Sequence, residues 1–328
     1  MPTVLLTDYD MSDAHIEEEV FAKAGWTLNK AQCTTEAEVI AAGQSADALL
    51  IQYAPITRKV LTALPRVGIC SRIGAGYDTV DPEACMAEGV WLANAPDYGV
   101  GEVATHALAL ALDLIRGTTF HTRDIQAGRW HYFSNGPRHR ASELTLGIVG
   151  LGRIGKRMAH VSRNIFKRVI AYDPYLIDGD FPAYVERVRD LHQLFRQADV
   201  VSPHTLLNAE TRGMINAACF AQMKKGSFIV NTSRGAVINI EDLLAALDQG
   251  TLDSAGLDVL PVEPARPGDP LVEHPRVVLT PHSAFYSLES EQELRRKAAL
   301  NIVQWGERGR PDYPVVQGSK TLLARANP

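Results

Sequence analysis

The feature of this sequence that most constrains its fold is a regular alternation of short apolar runs with longer segments of helical pattern. A first series of apolar runs of strand length lies at residues 4–6, 48–51, 67–70 and 90–93. A second series lies at residues 146–149, 168–172, 199–202, 227–231, 254–258 and 277–280. Strands that alternate with helices are typical of parallel sheets covered by helices. The sequence therefore predicts an α/β protein with two doubly wound parallel sheets.

Two helical segments indicate how the chain passes between the sheets. Residues 101–117 are apolar around most of the helix circumference, as expected of a helix that connects the sheets and packs between layers. The last long helical pattern, residues 288–308, follows the second sheet and has room to return to the first. We therefore predict a discontinuous first domain, residues 1–100 plus 286–328, with a second domain, residues 101–285, inserted into it.

The composition fits a globular protein and disfavours several classes of function. A chain of 328 residues can form two cores, and its formal net charge of −5 offers no basic surface to nucleic acid. Cys33, Cys70, Cys85 and Cys219 lack the spacing of a zinc site or a disulfide framework, so we expect reduced thiols and no metal. The N-terminus resembles no signal peptide, and the most apolar stretch is too short to span a bilayer. We expect a cytoplasmic protein with no membrane partner.

A glycine motif marks the start of the second series. Gly150, Gly152 and Gly155 have GxGxxG spacing between an apolar strand and a helical pattern. Such a motif alone is equally compatible with an ordinary glycine turn, but Asp173 ends the next strand at the interval where a carboxylate binds the ribose hydroxyls of a dinucleotide. Its negative charge would repel a 2′-phosphate. The sequence therefore predicts NAD rather than NADP as the cofactor.

The later strands of the second series end in groups suited to acid–base chemistry. Hydride transfer to a ketone requires a proton donor for its oxygen, and a substrate carboxylate requires a cation with bidentate geometry. Arg234 in NTSRG, Glu263 in LDVLPVEP and His282 in TPHSAF follow three consecutive strands, whose carboxyl ends line the ligand crevice in such sheets. A glutamate beside an imidazole stabilises its protonated form. We predict that these three residues form the reaction centre.

The same three residues are also compatible with purely structural roles. Arg234 and Glu263 could form a structural ion pair, and His282 could be a core or capping histidine. The coincidence of all three at strand ends favours the reaction centre. His106 and His160 lie within apolar helical patterns and are predicted to be packing or surface residues.

The motifs in combination resemble those of the D-isomer-specific 2-hydroxyacid dehydrogenase family. GLGRIG, VNTSRG, GLDV followed by EP, and TPH occur in the family's order and spacing, and the resemblance covers nearly the whole chain. RIGAGYDTVD, AYDPYL, AGRW and TPHSAFYS are most similar to the C-terminal-binding-protein branch of that family. Formate dehydrogenase activity is disfavoured, because the formate dehydrogenase branch carries glutamine at the position of Glu263.

The resemblance implies a flavodoxin-like substrate domain, a Rossmann NAD-binding domain and an active site in the cleft between them. His282 would be the acid and base, Glu263 its partner and Arg234 the substrate-orienting cation. The implied substrate-binding residues are Arg72 and the backbone amides of Gly74, Ala75 and Gly76, with Tyr53 and Phe285 in the pocket. The predicted cofactor-binding residues are Gly150, Gly152, Arg153, Ile154, Gly155, Asp173, Pro174, His204, Thr205, Thr211, Thr232, Ser233, Arg234, Asp258 and His282.

The substrate and the assembly are less constrained. Phe285 replaces the tryptophan of the C-terminal-binding-protein branch, so the substrate preference of that branch cannot be transferred. A small 2-oxo or 2-hydroxy acid is expected, and glyoxylate, hydroxypyruvate, phosphohydroxypyruvate and longer or sulfonated 2-oxo acids all stay open. The resemblance implies a homodimer in which an arm at residues 117–141, containing Trp130, Tyr132 and Phe133, packs across the interface. No regulatory extension follows the last helix, so built-in feedback control is not expected.

A function of a different class also stays open. The chain could be an NAD(H)-sensing, corepressor-like binding protein with vestigial dehydrogenase activity, as the C-terminal-binding-protein resemblance suggests. The presence of Arg234, Glu263 and His282 together favours the enzyme. If His282→Ala left function intact while Gly152→Asp abolished it, the binding protein would be favoured.

Overall fold

The computed structural model describes residues 1–322, which divide into two compact units. The first unit comprises Met1–Tyr98 together with the described residues from Ser287 onward, and the second comprises Gly99–Tyr286. The boundaries at 98/99 and 286/287 lie within two residues of the positions chosen from the sequence. The predicted fold class, an α/β protein with two doubly wound sheets, is confirmed.

The first unit is a parallel sheet with one antiparallel edge strand. Elements are numbered along the chain, and those of this unit are β1 Thr3–Leu6, α1 His15–Lys23, β2 Thr27–Lys30, α2 Glu36–Ala42, β3 Ala48–Ile51, α3 Arg58–Ala63, β4 Ile69–Arg72, α4 Pro82–Ala87, β5 Trp91–Ala93, α12 Leu288–Arg308 and β13 Pro314–Val316. Over the described residues the strand order is β13-β5-β4-β3-β1-β2, which contains the flavodoxin-like order 2-1-3-4-5. β13 pairs with β5 in the antiparallel sense.

The return of the chain to the first unit is anchored by a buried ion pair. α12 packs against α1, β3 and β4. Arg295 on α12 donates from Nε and Nη2 to the two carboxylate oxygens of Glu17 on α1, at 2.9 and 2.7 Å. Both side chains are buried, and bidentate geometry satisfies the charges that burial would otherwise penalise. The predicted discontinuity of the first domain follows from this packing.

The second unit is a wholly parallel sheet over its described residues. Its elements are α5 Val100–Arg116, α6 Thr118–Gln126, β6 Thr145–Val149, α7 Arg153–Ser162, β7 Arg168–Tyr172, β8 Glu186–Arg187, α8 Leu191–Gln197, β9 Val200–Pro203, α9 Ala217–Phe220, β10 Ser227–Asn231, α10 Ile240–Asp248, β11 Leu252–Leu257, α11 Pro270–Glu273 and β12 Val277–Leu279. The strand order is β12-β11-β10-β9-β6-β7-β8. Read from the other edge, its first six strands have the Rossmann order 3-2-1-4-5-6.

Local sequence signals explain where several helices begin. Asp81, Asp190 and Asn239 each precede a helix, and the side-chain oxygen of each accepts a hydrogen bond from the amide three residues later. Thr35 does the same before α2, where Glu38 completes a capping box. Such caps satisfy amides that have no partner within the helix.

Apolar side chains cover both faces of the second sheet. One core cluster packs α8, α9 and α10 against the sheet, and the other packs α5 and α7. α5 also contacts β10 and β11, and a Cβ at Gly256 of β11 would lie 3.2 Å from Leu110 Cβ. The prediction of a packed helix at residues 101–117 is therefore confirmed.

Three strands of the described residues were not predicted from the sequence. All three, β2, β8 and β13, are short, and β2 and β8 are largely exposed, so those two produce no apolar run. β4 begins at Ile69, two residues later than predicted, and consequently ends on Arg72. No helix within residues 1–322 combines the length and the apolarity needed to cross a membrane.

Candidate active site

The predicted dinucleotide turn joins β6 to α7. Gly150 has φ of +90°, and a Cβ there would lie 2.8 Å from the carbonyl oxygen of His204. A Cβ at Gly155 would lie 2.2 Å from the carbonyl oxygen of Gly150. Two of the three glycines are thus required by the protein itself, one for the turn and one for close packing of helix and strand.

Gly152 has a different environment. It is the N-cap of α7, and no side chain caps the helix there. Within residues 1–322, a Cβ at Gly152 would have no atom within 4 Å apart from its neighbours in the chain. Arg153 and Ile154 begin the helix, so the first amides of α7 face this open space. Uncapped amides at a helix N-terminus attract anions, so the turn fits the pyrophosphate of a dinucleotide.

Asp173 stands directly after β7, beside the glycine turn. Its carboxylate accepts hydrogen bonds from the amide of Leu151 at 2.9 Å and from the amide of Tyr175 at 3.0 Å. These bonds orient the carboxylate and leave lone pairs that can accept ribose hydroxyls. The adjacent Pro174 is exposed.

Three predicted cofactor residues carry buried polar atoms that have no hydrogen-bond partner within residues 1–322. They are His204 Nδ1, Thr205 Oγ1 and Thr232 Oγ1. Burial lowers the pKa of His204 to about 4, and Ser202 Oγ lies 3.0 Å from its Nε2. Buried polar atoms without partners are rare in native proteins unless a ligand or water supplies one. Together with the open N-terminus of α7, they fit a bound NAD.

Thr211 takes part in the structure of its own loop. Its hydroxyl donates to the carbonyl of Leu206 at 2.6 Å and accepts from the amide of Asn208 at 2.9 Å. We therefore infer that Thr211 stabilises the conformation of the loop that follows β9.

Arg234 is presented by a tight turn after β10. Asn231, the last residue of β10, accepts hydrogen bonds from the amide and hydroxyl of Ser233 and donates from Nδ2 to the carbonyl of Arg234 at 2.9 Å. A Cβ at Gly235 would lie 2.1 Å from the carbonyl carbon of Leu260. Glycine at this position thus lets the loop after β10 approach the loop after β11, which carries Glu263.

His282 and Glu263 form a hydrogen-bonded pair. Nδ1 of His282 lies 2.6 Å from Oε2 of Glu263, and Oε1 of Glu263 accepts from the amide of Leu260 at 2.8 Å. Burial raises the pKa of Glu263, but the hydrogen bonds from His282 and Leu260 and the charges of His282 and Arg234 outweigh it, so the pKa is lowered. Glu263 is therefore an anion at neutral pH, which fixes the orientation of the imidazole.

The loop that carries His282 is organised by Asp258, which is 2% exposed. One of its carboxylate oxygens accepts from Thr280 Oγ1 at 2.5 Å and the amide of Ser283 at 2.9 Å, and the other accepts from the amide of Ala284 at 3.0 Å. The amide of His282 donates to the Asp258 carbonyl at 2.8 Å. His282 has φ of +51°, a strained conformation for a residue other than glycine, and these bonds maintain it.

His106 contacts this loop, which the sequence analysis did not anticipate. Its Nε2 lies 2.9 Å from Thr280 Oγ1 and 3.6 Å from an Asp258 carboxylate oxygen. A single histidine on an apolar helix carries no local signal of such a role, because Thr280 is 174 residues away. His160, by contrast, contacts Tyr184 at 6.1 Å between ring centroids.

Phe285 contacts His282. Its ring centroid is 6.4 Å from that of His282, with the ring planes at 79°. The side chain that replaces tryptophan at this position therefore contacts the predicted proton donor edge to face.

The predicted substrate-binding residues Tyr53, Arg72 and Gly74 belong to the first unit. The Asp8 carboxylate accepts from the amide of Tyr53 at 2.5 Å, and the guanidinium carbon of Arg72 lies 6.0 Å from the centroid of the Tyr53 ring. Gly74 has φ of +155°, and a Cβ there would lie 1.1 Å from Arg72 Nη1. Glycine at this position thus leaves room for the guanidinium.

The glycine loop after β4 is held by its carbonyl groups. Asn94 Nδ2 donates to the carbonyl of Ala75 at 2.6 Å, and the amide of Ala95 donates to the carbonyl of Gly74 at 3.0 Å. The amide of Gly74 donates to the carbonyl of Arg72 at 2.9 Å. The amides of Ala75 and Gly76 are the better candidates for a ligand.

Comparison with known proteins identifies the family. Residues 108–284 match the family described as D-isomer specific 2-hydroxyacid dehydrogenase, NAD binding domain. The chain belongs to the D-isomer-specific 2-hydroxyacid dehydrogenase family. The predicted family and reaction class are confirmed: the chain is an oxidoreductase that transfers a hydride between NAD and a 2-hydroxy or 2-oxo acid.

Named relatives cover most of the chain. It is 30% identical to a hydroxypyruvate reductase of Blautia hydrogenotrophica, over 93% of this chain and 97% of the relative. It is also 30% identical to a glycerate dehydrogenase of Methylorubrum extorquens, over 82% and 85%. The crystal structure of a glyoxylate reductase from Paecilomyes thermophila has a TM-score of 0.86 and 28% identity, over 96% of this chain and 98% of that one. Membership of the C-terminal-binding-protein branch stays a prediction.

Proposed function

We propose that this protein reduces a small 2-oxo acid to the (R)-2-hydroxy acid, or catalyses the reverse reaction, with His282 as the proton donor and acceptor. The observation that carries the proposal is the 2.6 Å contact between His282 Nδ1 and a Glu263 carboxylate oxygen. Because Glu263 engages Nδ1, Nε2 is the ring nitrogen that can exchange a proton with the substrate oxygen.

The bound nicotinamide supplies or accepts the hydride. The residues of this chain donate or accept the accompanying proton and stabilise the charge that develops. Glu263 keeps the imidazole in one orientation and stabilises it when protonated, so that Nε2 can donate to the oxygen on which negative charge develops. When the reaction runs in reverse, the same nitrogen accepts the hydroxyl proton.

Two arginines are proposed to bind the substrate carboxylate and carbonyl. Arg234 has a guanidinium that donates to the Ser233 carbonyl at 2.8 Å and also contributes to the lowered pKa of Glu263, which places its charge near the catalytic pair. Arg72 is the last residue of β4 and precedes the amides of Ala75 and Gly76. Guanidinium and backbone amide donors together match the geometry of a carboxylate.

We propose hydroxypyruvate or glyoxylate as the substrate. The relatives that support this are the hydroxypyruvate reductase, the glycerate dehydrogenase and the glyoxylate reductase named above. Asp173 supports a preference for NADH over NADPH, because its carboxylate would repel a 2′-phosphate.

A homodimer and a cytoplasmic location complete the proposal. The arm at residues 117–141 exposes an aromatic cluster, Trp130, Tyr132 and Phe133, and exposed apolar clusters of this kind mark interfaces. The four cysteines are unpaired and buried, as expected in a reducing compartment that also holds NADH.

The experiment that tests the proposal is NADH oxidation at neutral pH against glyoxylate, hydroxypyruvate, phosphohydroxypyruvate, pyruvate and a sulfonated 2-oxo acid, repeated with NADPH. We expect turnover of hydroxypyruvate or glyoxylate with NADH and formation of the (R)-product by chiral chromatography. Turnover of another panel member would keep the reaction class and replace the substrate. NADH binding without turnover of any acid would contradict the proposal and favour a cofactor-sensing protein.

A further inference from the structure

We propose that His106 is a positioning residue for the reaction, because it donates a hydrogen bond that sets the geometry of the loop carrying His282. The inference rests on the function proposed above and assigns a role in it to a residue outside the catalytic pair. His106 lies on α5, whereas the loop follows β12, so the contact links two elements that are distant in sequence.

A series of hydrogen bonds runs from His106 through Thr280 and Asp258 to the residues around His282. Nε2 of His106 lies 2.9 Å from Oγ1 of Thr280, and Oγ1 of Thr280 donates to Asp258 at 2.5 Å. The carboxylate of Asp258 accepts hydrogen bonds from the amides of Ser283 and Ala284, and its backbone carbonyl accepts one from the amide of His282. The residues on both sides of His282 are thus attached to Asp258.

The direction of the bonds follows from the number of protons. A threonine hydroxyl has one proton, and Thr280 gives it to the Asp258 carboxylate. The Thr280 oxygen can then only accept from His106, so Nε2 of His106 must carry a proton. This assigns the tautomer of His106 and makes it a donor to a buried network, in which a lost donor leaves an acceptor unsatisfied.

Burial and strain make the geometry of this loop sensitive to the network. Asp258 is almost completely buried, and His282 occupies a backbone conformation that residues other than glycine rarely adopt. Relaxation of the loop would move the imidazole relative to Glu263 and to the substrate oxygen. Misplacement of a catalytic group by 1 Å lowers turnover by about 10²-fold.

The test compares His106→Leu, which removes the donor, with His106→Gln, whose side-chain amide can donate from a similar position. We expect His106→Leu to lower kcat by about 10-fold to 100-fold with little change in the KM for NADH, and His106→Gln to recover most of the loss. Thr280→Val should reproduce the loss and Thr280→Ser should not. The double variant His106→Leu with Thr280→Val should be no worse than either single variant. His192→Leu, at an exposed histidine of α8, is the matched control.

A second measurement does not require activity. The amides of Ser283 and Ala284 should exchange with deuterium about 10-fold faster in His106→Leu than in His192→Leu, because their acceptor is released. Wild-type kcat in His106→Leu, or a raised KM for NADH with unchanged kcat, would overturn the inference, as would unchanged exchange of both amides. If the unaltered protein turned over no acid, the proposed function would fail while the exchange measurement still decided the role of His106.

Discussion

At the scale of single residues, His282 and His204 have different surroundings and therefore different chemistry. Nδ1 of His282 lies 2.6 Å from a carboxylate oxygen of Glu263, which holds the imidazole in one orientation. His204 has no carboxylate partner in the described part of the chain, and burial lowers its pKa from 6.5 to about 4. His204 is therefore neutral at pH 7 and serves as a hydrogen-bonding group rather than as a charge.

The pKa of His204 predicts an acid dependence of stability. The unfolded chain binds a proton at this position below pH 6.5, and the folded chain does so only near pH 4, so stability decreases as the pH falls between these values. The shift corresponds to about 3 kcal/mol at most. We expect His204→Gln to flatten the fall of the urea midpoint between pH 6.5 and pH 4. A fall as steep as that of the control variant His192→Gln would contradict the assignment.

The contact between Glu263 and His282 could be predicted from the sequence because both residues follow ends of strands in the same parallel sheet. Arg234, Glu263 and His282 follow successive strands, and the structure brings the loops of Glu263 and His282 into contact. The role of His106 could not be predicted, because it depends on a contact with Thr280 across the fold. The sequence also does not reveal that the amide of Gly74 bonds the carbonyl of Arg72, because this depends on the backbone conformation of the loop.

At the scale of elements, the turn between β6 and α7 contains two glycines that the packing of the protein requires and a third, Gly152, that we propose is required by the cofactor. A Cβ at Gly155 would collide with the Gly150 carbonyl, whereas a Cβ at Gly152 would have open space around it in the described part of the chain. The common spacing of these glycines therefore reflects two different physical requirements.

This difference predicts the effect of Gly152→Ala. We expect an unchanged thermal midpoint without cofactor, because the methyl group has space and φ at this position is −70°. We expect weaker NADH binding, by about 1 to 3 kcal/mol, because the methyl group occupies the path of the pyrophosphate. Calorimetric titration with NADH measures the change, and Gly179→Ala, at an exposed glycine with open space, is the control. Wild-type affinity in Gly152→Ala would contradict the pyrophosphate site.

Elements with buried faces were predictable and exposed ones were not. The strands Ala48–Ile51, Arg168–Tyr172 and Ser227–Asn231 have the predicted bounds because apolar residues are required inside a parallel sheet. β2 has the sequence TLNK and lies at a sheet edge with exposed side chains. Edge strands are defined by backbone pairing rather than by side-chain burial, so their sequences carry little signal.

At the scale of the whole molecule, the arm at residues 117–141 exposes a cluster of large apolar side chains. Trp130 and Tyr132 are 85% and 86% exposed, and Phe133 and Ile125 are each about half exposed. They line a depression of about 820 Å³ together with Arg129 and other residues of the arm. Apolar surface of this kind is unfavourable in water unless an interface covers it.

If the exposed aromatic residues of the arm form a dimer interface, their removal should dissociate the dimer. Analytical ultracentrifugation at micromolar concentration should give a dimer for the unaltered protein and a monomer for the double variant Trp130→Ser with Tyr132→Ser, because the aromatic anchors of an interface contribute most of its free energy. Met86→Ser, at an exposed apolar residue of α4, should remain dimeric. A monomer for the unaltered protein would contradict the proposed assembly.

The most direct test of the central claim, that this chain is a dehydrogenase with His282 as its proton donor, is to compare the unaltered protein with His282→Asn and Glu263→Gln in the NADH-dependent reduction of the preferred acid. NADH affinity is measured on the same samples. The account predicts that His282→Asn lowers kcat by about 10²-fold to 10⁴-fold and that Glu263→Gln lowers it by a smaller factor, with unchanged NADH affinity in both. Wild-type kcat in His282→Asn would contradict the account.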